Sequence, residues 1–273
     1  MAKHFSIGEL RVILLEPSPA QNKLITTKLK LLGIGDIIAF EQGSQALASL
    51  KVDSSPNLIL SAMYLKDMTG IELLTQLRNN PDTQDIAFIL ISSETQPKVL
   101  EPLRQLGACA IIPKPFTSEN LDHALCVSLD YLSEDLTLDQ DDLELDMLRV
   151  LLVDDSKAAR NYMRKVLENL GVRNTNIKEA GNGHEGVQLL EESVFDLLIT
   201  DYNMPEMDGK ELIEFVRKNS WQSNIPILMV SSESDGGRLA AVTQAGVSGI
   251  CDKPFEPSVV RGLLERILRE QQP

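Results

Sequence analysis

Residues 149–156 read RVLLVDDS, a β-branched and leucine run that ends on two adjacent carboxylates. A short apolar run of this kind reads as a buried strand that delivers polar side chains at its end. Ser156 can cap the helix that follows, in which Ala159, Met163, Val166, Leu167 and Leu170 form an apolar stripe and Gly171 ends the turn. Further apolar runs at 175–180, 195–200, 226–230 and 247–251 make five strands. Helical patterns fill 183–193, 209–218, 237–245 and 257–269, with Pro257 suited to a first helical turn. Five β/α steps in succession predict a parallel sheet covered on both faces.

The same text occurs earlier in the chain. Residues 11–18 read RVILLEPS, and LILSAMYLKDMTG (58–70) answers LLITDYNMPEMDG (197–209). FILISSE (88–94) answers ILMVSSE (227–233), and IPKPF (112–116) answers CDKPF (251–255). The offset is 138 residues for the first pair and 139 for the others, far too long for a solenoid unit. The chain therefore reads as a duplicated domain: two flavodoxin-like, doubly wound (βα)5 units at 10–130 and 148–271. Pro19 sits just inside the first helix of the earlier copy, and Thr117 is positioned to cap its last. The connector, 131–147, is acidic: residues 129–147 hold eight carboxylates and no Lys or Arg. It reads as a solvated spacer whose leucines, Leu136, Leu138, Leu143 and Leu145, allow brief docking against a domain.

Composition narrows the function classes. The 273 residues carry 40 Asp and Glu against 26 Lys and Arg, a net charge of -14, with no basic stripe to face nucleic-acid phosphates. No apolar stretch approaches the roughly 18 residues of a membrane span, and the N-terminal residues lack a signal-peptide core. Cys109, Cys126 and Cys251 make neither a disulfide framework nor a metal cluster. A cytoplasmic protein is expected.

In a doubly wound sheet, ligands gather beyond the carboxyl ends of the strands. The second copy ends its strands there on Asp154 and Asp155, Asp201, Ser231 and, just after the last strand, Lys253. Three carboxylates at one point repel, so either one takes a proton or a dication joins them. An all-oxygen set suits Mg²⁺. Lys253 and Ser231 add a cation and a hydroxyl, and the combination fits phosphoryl transfer to the Asp201 side chain.

These motifs, DD at 154–155, DYNMPEMDG from 201, VSS at 230–232 and DKPF at 252–255, resemble the receiver domain of two-component response regulators over about residues 148–271. The resemblance implies that Asp154 and Asp155 organise a Mg²⁺ site, completed by Asp201 and the backbone carbonyl of Asn203. It implies that Asp201 takes a phosphoryl group from a sensor histidine kinase or a histidine phosphotransfer protein. It gives Ser231 the sensing of that group and Lys253 the pairing with it. Asn203 and Glu233 stand where the family tunes dephosphorylation, with identities similar to those of chemotaxis-type receivers. Ile250 stands where family members commonly place a switching aromatic residue, so output by movement of the loop containing Gly236 and Gly237 is expected instead. Beyond self-phosphorylation and its reversal, no enzyme activity is implied.

The first copy resembles a receiver without its chemistry. Glu16, Pro17 and Ala62 replace Asp154, Asp155 and Asp201, while Ser92 and Lys114 persist. A methyl group accepts no phosphoryl group and proline offers no carboxylate, so this copy reads as a degenerate pseudoreceiver in which Lys114 can pair with Glu16. Asp67, opposite Glu206, is expected to face solvent. Trp221 is expected to anchor its loop rather than to serve as an exposed contact.

Phosphorylation-dependent contact with a downstream protein is the leading expectation, with a second copy of the chain as a further partner. The alternatives are a phosphate-independent structural adaptor and the N-terminal regulatory part of a longer effector such as a diguanylate cyclase. A haloacid-dehalogenase-type phosphatase is disfavoured, because Tyr202 and Asn203 follow Asp201 where a second acid is needed.

Overall fold

The computed structural model describes residues 5–52, 56–133, 145–231 and 246–269. The chain divides into two compact units, Met1–Glu134 and Asp135–Pro273.

The first unit runs β1 (Arg11–Leu15), α1 (Pro19–Leu31), β2 (Asp36–Phe40), α2 (Gly43–Val52), β3 (Leu58–Ala62), α3 (Gly70–Arg78), β4 (Ala87–Ser92), α4 (Pro97–Gln105), β5 (Ala110–Pro113) and α5 (Ser118–Leu132). The second runs β6 (Val150–Val153), α6 (Lys157–Asn169), β7 (Ile177–Ala180), α7 (Gly183–Glu192), β8 (Leu197–Asp201), α8 (Gly209–Asn219), β9 (Ile227–Ser231), β10 (Gly249–Asp252) and α9 (Pro257–Arg269). The expected helix over 237–245 lies outside the described residues, as do Glu233, Gly236 and Gly237.

Each unit holds one five-stranded sheet in which every pairing is parallel, in the orders β2-β1-β3-β4-β5 and β10-β9-β8-β6-β7. Both orders reverse between the first and third strands of the unit, which opens a crevice at the carboxyl edge. Every residue of β3, β4, β8 and β9 is buried. Strands buried on both faces lose the polar alternation of a half-exposed sheet and read as continuous apolar runs. The edge strands β2, β5, β7 and β10 are less buried, β2 most clearly, with Ile38 40% exposed.

Local signals set the helix ends. Ser18 accepts from the Gln21 amide ahead of Pro19, Ser156 from the Ala159 amide, and Thr117 shares a capping box with Asn120. Gly171 adopts φ +103 after α6, and the Val172 amide returns to the Leu167 carbonyl, closing the helix with a left-handed turn. Asn182 caps α7 by accepting from the Glu185 amide, which gives the GNG stretch a turn role.

The described residues of the two units reach into the expected connector. Tyr131 and Leu132 are buried at the end of α5, and the Ser133 hydroxyl accepts from the Phe5 amide. Residues Leu145–Met147 form a 3-10 turn with Leu145 buried, tied to the second unit by Asp146, which pairs with Arg173 at 2.6 Å. Leu136, Leu138 and Leu143 lie outside the described residues. Cys109 and Cys251 are buried thiols and Cys126 is exposed. No helix among the described residues is long and apolar enough to cross a membrane.

Candidate functional site

Four strands of the second unit deliver its polar residues to one edge. Asp154 follows β6, Asp201 closes β8, Ser231 closes β9 opposite Asp252, and Lys253 follows β10. The Lys253 amide donates to the Ser231 carbonyl at 2.8 Å, so the parallel ladder itself carries the lysine to the serine. Asp154, Asp201, Ser231 and Lys253 are each 3% exposed or less, and Asp155 is exposed.

Lys253 Nζ stands 2.7 Å from Asp154 Oδ2 and 3.1 Å from Asp201 Oδ1. One oxygen from each of Asp154, Asp155 and Asp201 lies within 4.8 Å of the others. Asp154 is fixed further by the Ser156 amide, which donates to its Oδ1 at 2.8 Å. Asp201 is different. Both of its oxygens are buried, and among the described residues neither has a donor in good hydrogen-bonding geometry; Lys253 reaches Oδ1 as an ion partner.

Charge explains what such a site wants. Burial raises the Asp201 carboxyl to about 7; Lys253 opposes the rise, while Asp154 and Asp155 add to it. Burial and the adjacent Asp154 also raise Asp155, against the pull of Lys253. Burial works against the Lys253 ammonium, but Asp154 and Asp201 outweigh it and hold its pKa above the ordinary lysine value. Three carboxylates against one ammonium leave an excess of negative charge in a buried place. An orphaned pair of carboxylate oxygens facing two further acids is the donor set of a hard dication, so the residues fit Mg²⁺.

Several supports escape a motif reading. The Phe255 carbonyl accepts from the Tyr162 hydroxyl at 3.0 Å, the two rings lie 5.6 Å apart, and Lys253 Nζ sits 5.8 Å from the Phe255 ring centre. These contacts brace the lysine from α6. A Cβ added to Gly209 would stand 2.1 Å from the Asp201 carbonyl oxygen, so only glycine lets α8 begin against the acceptor strand. That glycine closes the DYNMPEMDG stretch, and its position in the motif was the available signal. Asn203 lies two residues past Asp201 and is exposed, and Ile250 is partly buried against the core of the unit.

The first unit arranges its counterparts differently. Glu16 is buried, and its Oε2 accepts from Lys114 Nζ at 2.6 Å while its Oε1 accepts from the Ser18 amide. One carboxylate therefore meets one ammonium. Pro17 follows it, Ala62 closes β3 with a buried methyl group, and the Ser92 hydroxyl accepts from the Glu94 amide. Asp67 is exposed but employed: its carboxylate accepts from the Gly43 and Ser44 amides at the start of α2, and Ser44 leads the contacts that hold it below the usual range. Trp221 departs from the expected anchor, being 62% exposed. The anchor is Gln222, which donates to the Leu190 and Ser193 carbonyls and accepts from the Phe195 amide. An amide with two donors and an acceptor can satisfy three buried backbone groups at once, which an indole cannot.

The family model of the response regulator receiver domain matches residues 12–126 and again residues 150–265. The chain belongs to this family. It carries two receiver domains in tandem, the signal-receiving parts of two-component systems. The chemotaxis protein CheY of Pseudomonas aeruginosa is 36% identical over 120 residues, which are 44% of this chain and 95% of that protein. Chemotaxis protein CheY-3 of Vibrio cholerae is 32% identical over 120 residues, 44% of this chain and 91% of the relative. Among solved structures, chemotaxis protein CheY4 of Vibrio cholerae is 32% identical, covering 44% of this chain and 98% of that one at a TM-score of 0.41. Of the two receivers, only the second brings three acids together among the described residues.

Proposed function

We propose that the second receiver accepts a phosphoryl group on Asp201 from a phosphohistidine of a sensor kinase or phosphotransfer protein, and that this changes its contact with a downstream protein. The observation that carries the reading is the buried Asp201 carboxylate, ion-paired to Lys253, without a well-formed hydrogen bond among the described residues, and beside the Asp154–Asp155 pair. A carboxylate oxygen of Asp201 forms the new bond to phosphorus as the phosphorus–nitrogen bond of the donor breaks and the imidazole departs. Lys253 and the Ser231 hydroxyl face the non-bridging oxygens as charge develops on them. Asp154, Asp155, Asp201 and the Asn203 carbonyl would hold Mg²⁺, which when bound offsets the acids' repulsion toward an anionic phosphoryl group. No turnover of an external substrate belongs to this reading.

The first receiver, with Lys114 already committed to Glu16 and a methyl group in place of the acceptor, serves as a pseudoreceiver that presents surfaces to partners. The reading places the chain in the cytoplasm.

Incubation with acetyl phosphate and Mg²⁺, followed by intact-mass analysis, tests the assignment. The expected result is one added phosphoryl group, stable to acid and removed by hydroxylamine, and absent from Asp201→Asn. Labelling of Asp201→Asn at the wild-type level would overturn it. A target that binds equally well with and without a beryllofluoride mimic would support a phosphate-independent adaptor instead.

A further inference from the structure

Arg160 lies on the first turn of α6, and its side chain folds back toward the site. Its Nε stands 3.0 Å from Glu179 Oε2, and its Nη1 donates to the main-chain carbonyl of Asp154. Arg164, one turn on, takes the other oxygen of Glu179 at 2.8 Å. Arg160 is 15% exposed and Glu179 26%, so the pair is more sheltered than an ordinary surface bridge. Glu179, held by two guanidinium groups, aims one of them at the peptide that joins Asp154 to Asp155.

That peptide matters because the rest of Asp154 is already pinned. Its amide donates to the Ala180 carbonyl, and its carboxylate meets the Ser156 amide and Lys253. The carbonyl is the remaining backbone group, and its direction sets how the following residue leaves the strand. Asp155, exposed and without such a cage, takes its orientation from that step.

The first receiver supplies an internal comparison. By the helix offset and the strand registers, Asn22, Thr26 and Ala39 stand where Arg160, Arg164 and Glu179 stand in the second. The whole network is missing from the copy that has lost its acids. Pro17, which replaces Asp155, fixes its own φ through its ring and needs no outside hold.

We propose that Arg160, aimed by Glu179, is a positioning residue for the acidic pair, holding the Asp154 carbonyl so that Asp155 presents its carboxylate to a bound dication. The proposal rests on the reading that Asp154, Asp155 and Asp201 bind Mg²⁺. Positioning and simple charge predict opposite signs. Removing a nearby cation by itself strengthens dication binding, whereas loosening an outer support of a ligand weakens it, commonly by about tenfold or more.

Isothermal titration of MgCl₂ into the full chain distinguishes them. Arg160→Gln and Glu179→Gln are expected to weaken Mg²⁺ binding about tenfold. Arg149→Gln, which removes a bridge to Asp196 at the other end of β6, is expected to bind as wild type does. Urea unfolding in EDTA checks that each variant is folded. Equal or tighter binding by Arg160→Gln overturns the positioning role while leaving the site reading intact. Weak binding by Arg160→Gln with wild-type binding by Glu179→Gln overturns the aiming role of Glu179. A wild-type chain with no saturable Mg²⁺ binding overturns the site reading, and the proposal with it.

Discussion

At the scale of single residues, the second receiver keeps a carboxylate where folding alone would not put one. Asp201 is 1% exposed, and its carboxyl is raised to about 7 from the ordinary 3.8, first by burial. The native state therefore holds this proton more tightly than the unfolded chain does. The associated stability is fully present below the unfolded pKa and is lost as pH rises through the folded one, between about 4 and 7. In metal-free protein, Asp201→Asn should remove that slope. The variant should match wild type near pH 4 and exceed it at pH 8 by on the order of 2 kcal/mol, reduced because Lys253 loses one of two partners. Urea unfolding in EDTA at both pH values measures the difference, and a wild type more stable than the variant at pH 8 would contradict the sign. The five residues of this site were legible in the sequence because each interrupts an apolar run, and a charge at the end of a buried strand has few structural uses. Arg160 was not legible. A guanidinium that folds back on a carbonyl and one that points into water occupy the same kind of helical position.

At the scale of elements, the strands and caps were readable for a similar reason: Ser156, Thr117 and Gly171 act on neighbours a few residues away. Contacts between distant loops leave no such local trace. Asp67 faces solvent as expected, and it also closes the start of α2 from 23 and 24 residues along the chain. Trp221 drew attention by its size while Gln222 held the loop. Arg78 and Arg217 are the clearest case. Arg78, at the end of α3, donates to the Gln84, Ile86, Leu106 and Gly107 carbonyls, and Arg217, on the last turn of α8, donates to the Ser223 and Gly246 carbonyls. Each guanidinium spans two chain segments, the loop after its own helix and the turn before the last strand. Burial lowers the Arg217 pKa, and its hydrogen bonds to these carbonyls substitute for lost hydration. Arg217→Ala would leave those carbonyls without their donor. The expected cost is about 2 kcal/mol, with faster hydrogen exchange at residues 246–248 and no change around Asp154. Protection unchanged at 246–248 would show that the turn holds itself.

At the scale of the whole molecule, the duplication sets two receivers of one topology against each other. Both keep the lysine and the serine. They differ in how many acids the lysine must serve. Among the described residues Lys114 meets Glu16 alone and balances it, whereas Lys253 faces Asp154 and Asp201, with Asp155 beside them. Balance removes the electrostatic demand for a dication, and excess creates it. One Mg²⁺ should therefore bind per chain, and its stabilisation should fall on the second receiver alone. A ligand that binds only the native form stabilises it by about 2.7 kcal/mol at a hundred times its Kd. Hydrogen exchange followed residue by residue during urea unfolding separates the two units. With Mg²⁺ added, protection in β6, β8 and β9 should rise by that amount, while protection in β1, β3 and β4 stays where it was. Equal gains in both sheets, or two ions per chain in a titration, would mean that Glu16 and its surroundings bind the metal, and the first receiver could not then be called degenerate on the ground of charge.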